Sequence, residues 1–374
     1  MTVTVRTLHV DEFDDFMRYV ERAFGHSKGW FEGHLPHIYR PTEEVCSWAY
    51  VVVEDGEIRS HVGVYPIESV TAGLPLSIGG IGAVSTAPEA RGKGYMTRLL
   101  DHAIDEMRRI GYPVSWLGGD RQRYNTFGWE NASRIYDLVF TQRSMGWNPV
   151  EPLEVEEVYA QEAMDTIRRY HEEPTCHTER SDLEIQMQKE DIRFFIAEDG
   201  YAVLAGQDRE HIRIRELVSA SRREIRLIQA LMDWNDSSRA NWPLSMWDRA
   251  RLHRLLPYAA GWQWGYSGMY RINDLTALLE AVKPHLTARA GALRNFSAAL
   301  ALKERDRTTF TTITVEDGEV NVSTERGNSP VELSPVGAAR LFIGGPPAPE
   351  ADALPEGLKA MLPVPVYVLP LDHV

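Results

Sequence analysis

Between Ser85 and Leu100 the sequence reads STAPEARGKGYMTRLL. An apolar run gives way through a polar, glycine-rich turn to a helical pattern. The first turn of a helix carries unpaired N–H groups and the positive end of its dipole. Gly92 and Gly94 let the backbone approach a bound group closely, and Arg91 and Lys93 add positive charge. Such a turn can cradle a phosphate or pyrophosphate. A glycine-rich loop without a ligand has the same composition. A P-loop is excluded, because no Gly-Lys-Ser/Thr follows at the required spacing. A dinucleotide fingerprint fails too, because Thr97 stands at its third glycine position.

Other residues with chemical potential lie further along. In GGDRQRYNTFGWENAS, Tyr124 precedes Phe127-Gly128-Trp129. A phenol of pKa ~10 can donate a proton, or it can pack in a core. The loop AFGHSKGWFEGHLPHIYRP offers Phe24, His26, Trp30, Phe31 and Glu32, which are aromatic faces and one negative charge suited to a cation. Trp30 and Phe31 read equally as core. The chain ends LPVPVYVLPLDHV, where Pro363, Pro365 and Pro370 prevent a helix and keep an apolar segment extended. Asp372, His373 and the Val374 carboxylate stand at its tip. His171, Cys176 and His177 match no standard zinc spacing, so no metal is expected. The tryptophan-rich stretch from Trp234 to Trp264 reads as core.

Apolar periodicity supplies the elements around these residues. The first part starts with a helix over Asp11–Phe24. A hairpin follows, turning at Glu54-Asp55-Gly56, and then a strand over LSIGGIGAVST that runs into the glycine turn. MTRLLDHAIDEMRRI is amphipathic, with Met96, Leu99, Leu100, Ala103, Ile104 and Met107 on one face and Gly111 as C-cap. YPVSWLGG and SRIYDLVFT are further strands. GWNPVEPLEVEE reads as a linker. The middle part repeats the order: a helix at 160–170, DIRFFIAEDGYAVLAGQ, HIRIRELV, a helix over REIRLIQALMDW, and a strand at 242–247. Glu198-Asp199-Gly200 echoes the first turn, but ELVSASRREIRLI has no glycine where the first part has two. The pattern is that of a duplicated fold whose second copy lost its site. The last part starts near Asn273, with a helix over DLTALLEAV, strands in FTTITVEDGEVNVST and a helix over SPVGAARLFIGG.

Taken together, the strand, the PEARGKG turn with its helix, and YNTFGW resemble the GNAT superfamily of acetyl-CoA-dependent N-acetyltransferases. The resemblance implies that the backbone around Val84, Ser85 and Thr86 holds the pantetheine arm. It implies that Arg91, Gly92, Lys93, Gly94, Tyr95 and Met96 bind the pyrophosphate end, and that Tyr124 is the general acid. Met96 replaces the usual small residue, which points to the enhanced intracellular survival (Eis) group. That likeness implies an α/β (α+β) architecture of tandem GNAT-like domains, the second degenerate, with a C-terminal domain of sterol-carrier-protein fold. The expected boundaries are 1–148, 149–271 and 272–374. It also implies that the Val374 carboxylate acts as the base through water, with Asp372 and His373 beside the acceptor. The final residue departs from the group's frequent aromatic. His373 is a rival base.

The rest of the chain bounds the function. Its 374 residues allow two or three cores. A formal net charge of −14, with no basic run, excludes nucleic acid as the expected partner; it suits a cationic one, and equally it serves solubility alone. No apolar run reaches the ~18–20 residues of a membrane span, and the first residues have no basic-then-apolar leader pattern. Two distant cysteines, Cys46 and Cys176, fit a reducing compartment, so a cytoplasmic protein is expected. The expected activity is direct transfer of acetyl from acetyl-CoA to a primary amine in a ternary complex. The acceptor would be an aminoglycoside, a polyamine or a lysine-type peptide. The resemblance implies a homo-oligomer, a hexamer in relatives. The alternative from another class is a non-catalytic small-molecule or lipid carrier using the last domain.

Overall fold

A computed structural model describes residues 2–206 and 208–374. Met1, and Gln207 at the end of the predicted second hairpin, lie outside the described residues. Apart from the helix expected over 334–345, the predicted elements form with small boundary shifts. Helix α1 (Phe13–Phe24) buries Phe16, Met17 and Val20, and ends at Gly25 in the left-handed region. A short turn, α2 (Trp30–His34), and α3 (Glu43–Ser47) carry the chain to the first strands. Strand β1 (Val3–Thr7) pairs with β2 (Ala49–Glu54), β2 with β3 (Glu57–Thr71), and β3 with β4 (Leu74–Thr86), all antiparallel. The β2–β3 turn uses Asp55 at φ 50° and Gly56 at φ 86°. Both central residues are left-handed, as a two-residue hairpin with native twist requires.

After the glycine turn comes α4 (Tyr95–Ile110). Its face of Leu99, Leu100, Ala103, Ile104 and Met107 is buried, each large side chain stabilising the fold by about 1.5–3 kcal/mol. Strand β5 (Val114–Leu117) then lies parallel to β4, from Ile78↔Val114 to Ile81↔Leu117. α5 (Arg121–Tyr124) leads into β6 (Glu130–Thr141).

The middle of the chain supplies β7 (Glu156–Val158), β8 (Cys176–Glu179), β9 (Ile192–Ala197), β10 (Gly200–Ala205), β11 (His211–Ser219), β12 (Arg239–Ser245) and β13 (Gly261–Ile272). One sheet holds all of these, in the order β1-β2-β3-β4-β5-β13-β6-β12-β11-β10-β9-β7, with β8 pairing the far half of β3. The sequence order did not suggest this crossing. β13 sits between β5 and β6, and β6 is carried over to β12. The parallel pair β11–β12 mirrors β4–β5. Beyond that pairing the cleft is closed by Tyr367, Leu369 and Pro370 of the tail, which leave a cavity of about 30 Å³. The second Glu-Asp-Gly turn is not a copy of the first. Gly200 already lies in the strand, where a Cβ would stand 2.0 Å from the Val218 carbonyl oxygen.

A second sheet, β16-β15-β14-β17, is built from β14 (Phe296–Lys303), β15 (Thr308–Glu316), β16 (Glu319–Ser323) and β17 (Val331–Leu333). Its core joins Leu278, Leu286, Leu300, Ile313 and Phe342, none of them exposed. The predicted helix over 334–345 is a single α-turn followed by a π-helical segment, Ala339–Gly344. The tail then crosses the molecule in extended form. Ser133 and Ser69 donate from Oγ to the carbonyls of Val366 and Tyr367, each at 2.6 Å. Val364, Val366 and Val368 are fully buried.

Candidate active site

Where β4 and β5 separate, a groove of about 700 Å³ opens, lined by Phe24, Val84–Thr86, Ala90–Gly92, Gly94–Thr97 and Arg123. Gly92 and Gly94 have φ of 81° and 78°, and a Cβ at either would meet open space. The constraint there is conformational: only glycine takes this turn without strain. Gly94 is the N-cap of α4, and no side chain caps it. The leading N–H groups of this 16-residue helix therefore face the groove with its positive dipole end, as an anion site requires.

Backbone direction along β4 follows from one contact. The Ala87 N–H reaches the Arg59 carbonyl of the β3 segment at 2.9 Å. Alternation along a strand then turns Ser85 toward β3 as well. It turns Val84 and Thr86 toward the side that β5 has left. Of the predicted pantetheine positions, Val84 and Thr86 thus turn their main-chain groups to the groove side, whereas the Ser85 carbonyl accepts from Ser60 of β3.

Two expectations for the turn need correction. Lys93 does not extend toward a bound phosphate. Its Nζ contacts both oxygens of Glu54 at 2.8 Å, and Tyr95 donates its hydroxyl to the same carboxylate at 2.9 Å. Lys93, then Tyr95, hold Glu54 below the usual carboxylate range. Lys93 and Tyr95 therefore tie the turn to β2, and Arg91 is the cation of the turn that lines the groove.

Tyr124 packs against Gly119, where a Cβ would lie 2.7 Å from Cε2 of the ring. Burial raises its hydroxyl above the ordinary phenol, and Arg123 beside it partly offsets this. Its loop is anchored from below. Fully buried Glu130 accepts from Arg121 and from Arg340 of the C-terminal part, and Asn125 donates to it at 3.4 Å.

The end of the chain packs on β4 just before the stretch that lines the groove. A Cβ at Gly82 would lie 3.1 Å from the Val374 carboxyl carbon, and one at Gly80 would lie 2.7 Å from Val374 Cγ2. Tyr65 lies over the same glycine, with Cε2 2.9 Å from the Gly82 Cβ position, and its hydroxyl meets that of Tyr39 at 3.4 Å. On the far side of Val374 is a smaller polar cavity of about 90 Å³, with Trp48, Ile67, Glu68, Glu179, Asp182 and Asp372 on its walls.

Asp372 and His373 are placed differently from the expectation. Asp372 is buried, accepting from Arg180 at 2.8 and 2.9 Å and from Gln186 at 2.5 Å, while Lys189 Nζ donates to the Leu371 carbonyl at 2.7 Å. Burial alone would raise this carboxyl. The Arg180 guanidinium outweighs it and holds the group well below the usual range. Arg180 also pairs with Glu216. These contacts fasten the tail and do not offer Asp372 to an acceptor. His373 lies on the Trp116 ring at 4.4 Å, and burial, then Arg215, pulls its pKa down to about 4. It is neutral at pH 7 and stacked, a poor rival base.

The aromatic loop is ordered by stacking. His26 lies flat on Trp30 at 3.7 Å, and His34 stacks on Trp30 at 4.1 Å. Phe31 is buried, as the core reading had it, whereas Phe24 lines the groove rather than an acceptor wall. Glu32 keeps one buried oxygen without a hydrogen-bond partner among the described residues. Among the described residues, no cluster of three or more His, Cys, Asp or Glu could hold a metal ion.

Residues 4–132 match the family described as acetyltransferase (GNAT) domain. The chain carries a GNAT acetyltransferase domain. Solved structures share its fold at low identity. A GCN5-related N-acetyltransferase from Kribbella flavida aligns over 100% of this chain and 98% of its own, at 19% identity and a TM-score of 0.71. A probable N-acyltransferase from Enterococcus faecalis V583 aligns over 92% and 90%, at 17% and 0.70. Eis1 from Mycobacterium abscessus aligns over 97% of both chains, at 15% and 0.65. No match among curated proteins was found. Among the described residues, no helix is long and apolar enough to cross a membrane.

Sequence reasoning missed Tyr39, Tyr65, Arg180 and the glycine floor under Val374. The signal for the floor was legible: Gly80 and Gly82, two apart in one strand, put two missing side chains on one face and mark a close approach by something else.

Proposed function

We propose that the protein is an acetyl-CoA-dependent N-acetyltransferase acting on a cationic primary amine by direct transfer in a ternary complex, in the manner of the Eis group. The observation that carries this reading is the open β4/β5 groove lined by Val84–Thr86, with the end of the chain packed on Gly82 two residues earlier in the same strand. The uncapped first turn of α4 would take the pyrophosphate, and Val84 and Thr86 would take the pantetheine arm.

In this reading the three parts have separate tasks. The first GNAT unit binds acetyl-CoA. The middle unit is a degenerate copy whose own strand cleft is closed by the tail. The last unit, of sterol-carrier type, delivers that tail. A lipid-carrier role has little support from its filled core.

The chemistry needs a neutral amine. An alkyl ammonium of pKa ~10.4 is neutral in only about one molecule in 10³ at pH 7. The Val374 carboxylate, directly or through water, accepts the ammonium proton. The amine nitrogen attacks the thioester carbon, and the Val84 N–H stabilises the negative charge that grows on its oxygen. As the C–S bond breaks, Tyr124 gives its proton to the leaving sulfur, and the proton shed by the new amide nitrogen passes through water to restore the phenol. The walls near Val374 carry Glu68 and Glu179, while Asp182 is paired with Arg40 and Arg180 with Asp372 and Glu216, which leaves a net negative lining suited to a cationic acceptor.

The test is a thiol-release assay with acetyl-CoA and a panel of primary amines, with products identified by mass. Stoichiometric thiol and N-acetylated amine are expected. Gly94→Asp, which puts a carboxylate where the phosphates must sit, should abolish measurable acetyl-CoA binding. Unchanged affinity in that variant would remove the groove assignment.

A further inference from the structure

From Gly82 onward β4 is held on one side only, because pairing with β5 stops at Ile81 and Leu117. Even the β3 side is interrupted. The register jumps from Gly63↔Gly82 to His61↔Ser85, so that Ala83 and Val84 together oppose Val62. Ala83 sits in the left-handed region at φ 45°. A non-glycine residue is strained there and persists only where its surroundings over-determine it.

Side chains replace the missing ladder. Fully buried His61 donates from Nδ1 to the Ala83 carbonyl at 2.9 Å. A carbonyl can only accept, so this contact fixes the tautomer. Its Nε2 is buried with no partner among the described residues, and the ring packs edge-on to Phe16 at 4.8 Å. Next along, Ser60 donates from Oγ to the Ser85 carbonyl at 2.8 Å, and the Tyr19 hydroxyl meets Ser85 Oγ at 3.2 Å.

The peptide between Ala83 and Val84 is planar and trans, so its C=O and N–H point in opposite directions. Whatever holds the carbonyl toward β3 aims the Val84 N–H into the groove. We propose that His61 is a positioning residue for acyl transfer: its bond to the Ala83 carbonyl keeps the Val84 N–H directed at the thioester oxygen. The inference rests on the acetyl-transfer reading and deepens it. His61 exchanges no proton in the reaction. Burial pulls its pKa down to about 4, so it stays a neutral Nδ1–H donor through the working range.

The test uses the full chain. His61→Phe keeps a ring against Phe16 but has no donor, whereas His61→Asn keeps an N–H close to the Nδ1 position. His61→Phe should bind acetyl-CoA as the parent does and lose on the order of 10²-fold in kcat, the effect of removing one oxyanion donor. His61→Asn should restore most of that loss. Infrared spectra of bound [1-13C]acetyl-CoA should show the thioester carbonyl stretch lowered in the parent and in His61→Asn, and not in His61→Phe. Parental kcat in His61→Phe, equal losses in the two variants, or an unshifted stretch in the parent would each overturn the proposal. The last holds even where His61→Phe fails to fold. A parent that neither binds acetyl-CoA nor releases thiol removes the acetyl-transfer reading and this inference together. An active parent with an indifferent His61→Phe removes only the inference.

Discussion

Adding one methyl group at Gly82 probes the contact between β4 and the end of the chain. The new Cβ would fall 2.9 Å from Tyr65 Cε2 and 3.1 Å from the Val374 carboxyl carbon. Carbon atoms prefer about 3.5–4.0 Å, so the neighbours must retreat by roughly 0.5–1 Å. Tyr65 has little room. Its ring also covers Gly63, where a Cβ would come within 2.4 Å, and it is 1% exposed. Val374, half-buried at a chain end, gives way. A shift near 1 Å in a reacting group can cost about 10²-fold. Gly82→Ala should therefore lower kcat by about 10- to 100-fold. The overpacking itself should cost about 1–3 kcal/mol of stability. Acetyl-CoA affinity, set at the distant turn, should hold. Calorimetry and steady-state thiol release read the two quantities separately. Gly146→Ala is the control, since a methyl there meets open space. Parental kcat in a folded Gly82→Ala protein would refute the reasoning that Val374 must sit on that glycine to work.

Two further substitutions separate chemistry from anchoring. Tyr124→Phe should lower kcat by roughly 10²–10⁴-fold with acetyl-CoA affinity unchanged, because only the proton donor is lost; a normal kcat on a good acceptor returns the ring to a packing role. Asp372→Asn should lower the melting temperature at pH 7, because it leaves Arg180 with Glu216 alone, at a cost of about 3 kcal/mol, the low end for breaking a buried pair. The Asp372 pKa is depressed in the fold, so its contribution is full above about pH 4 and fades as pH falls through the lower folded value. The gap between parent and variant should therefore narrow below about pH 4, and a gap independent of pH would contradict the ion-pair account.

Much of the site was legible as local pattern. The Arg91–Gly94 turn, the α4 face and the Gly111 cap are set by residues within a few positions of one another. Their geometry follows from left-handed glycines and helical spacing. The placement of β13 between β5 and β6 was not legible. Both strands carry ordinary apolar sequence, and which partner each takes is decided by packing across more than a hundred residues. Lys93 misled for a related reason: its charge is visible in the sequence, but Glu54, thirty-nine residues earlier, captures it. Asp372 shows the same limit. Its neighbours in sequence suggested an acceptor contact, while Arg180 and Gln186 from the middle of the chain use it to lock the tail.

The central claim is that the acetyl-CoA groove and the terminal carboxylate form one active site. Extending the chain by two glycines after Val374 tests it most directly. It carries the carboxylate away from Gly82 while keeping every side chain, including the Asp372–Arg180 anchor. The account predicts an unchanged melting temperature and acetyl-CoA affinity, with kcat/KM for an amine acceptor reduced about tenfold or more. A well-folded extended protein with the parent's full kcat/KM would contradict it, and the base would then be sought at Glu32 or in ordered water beside β4.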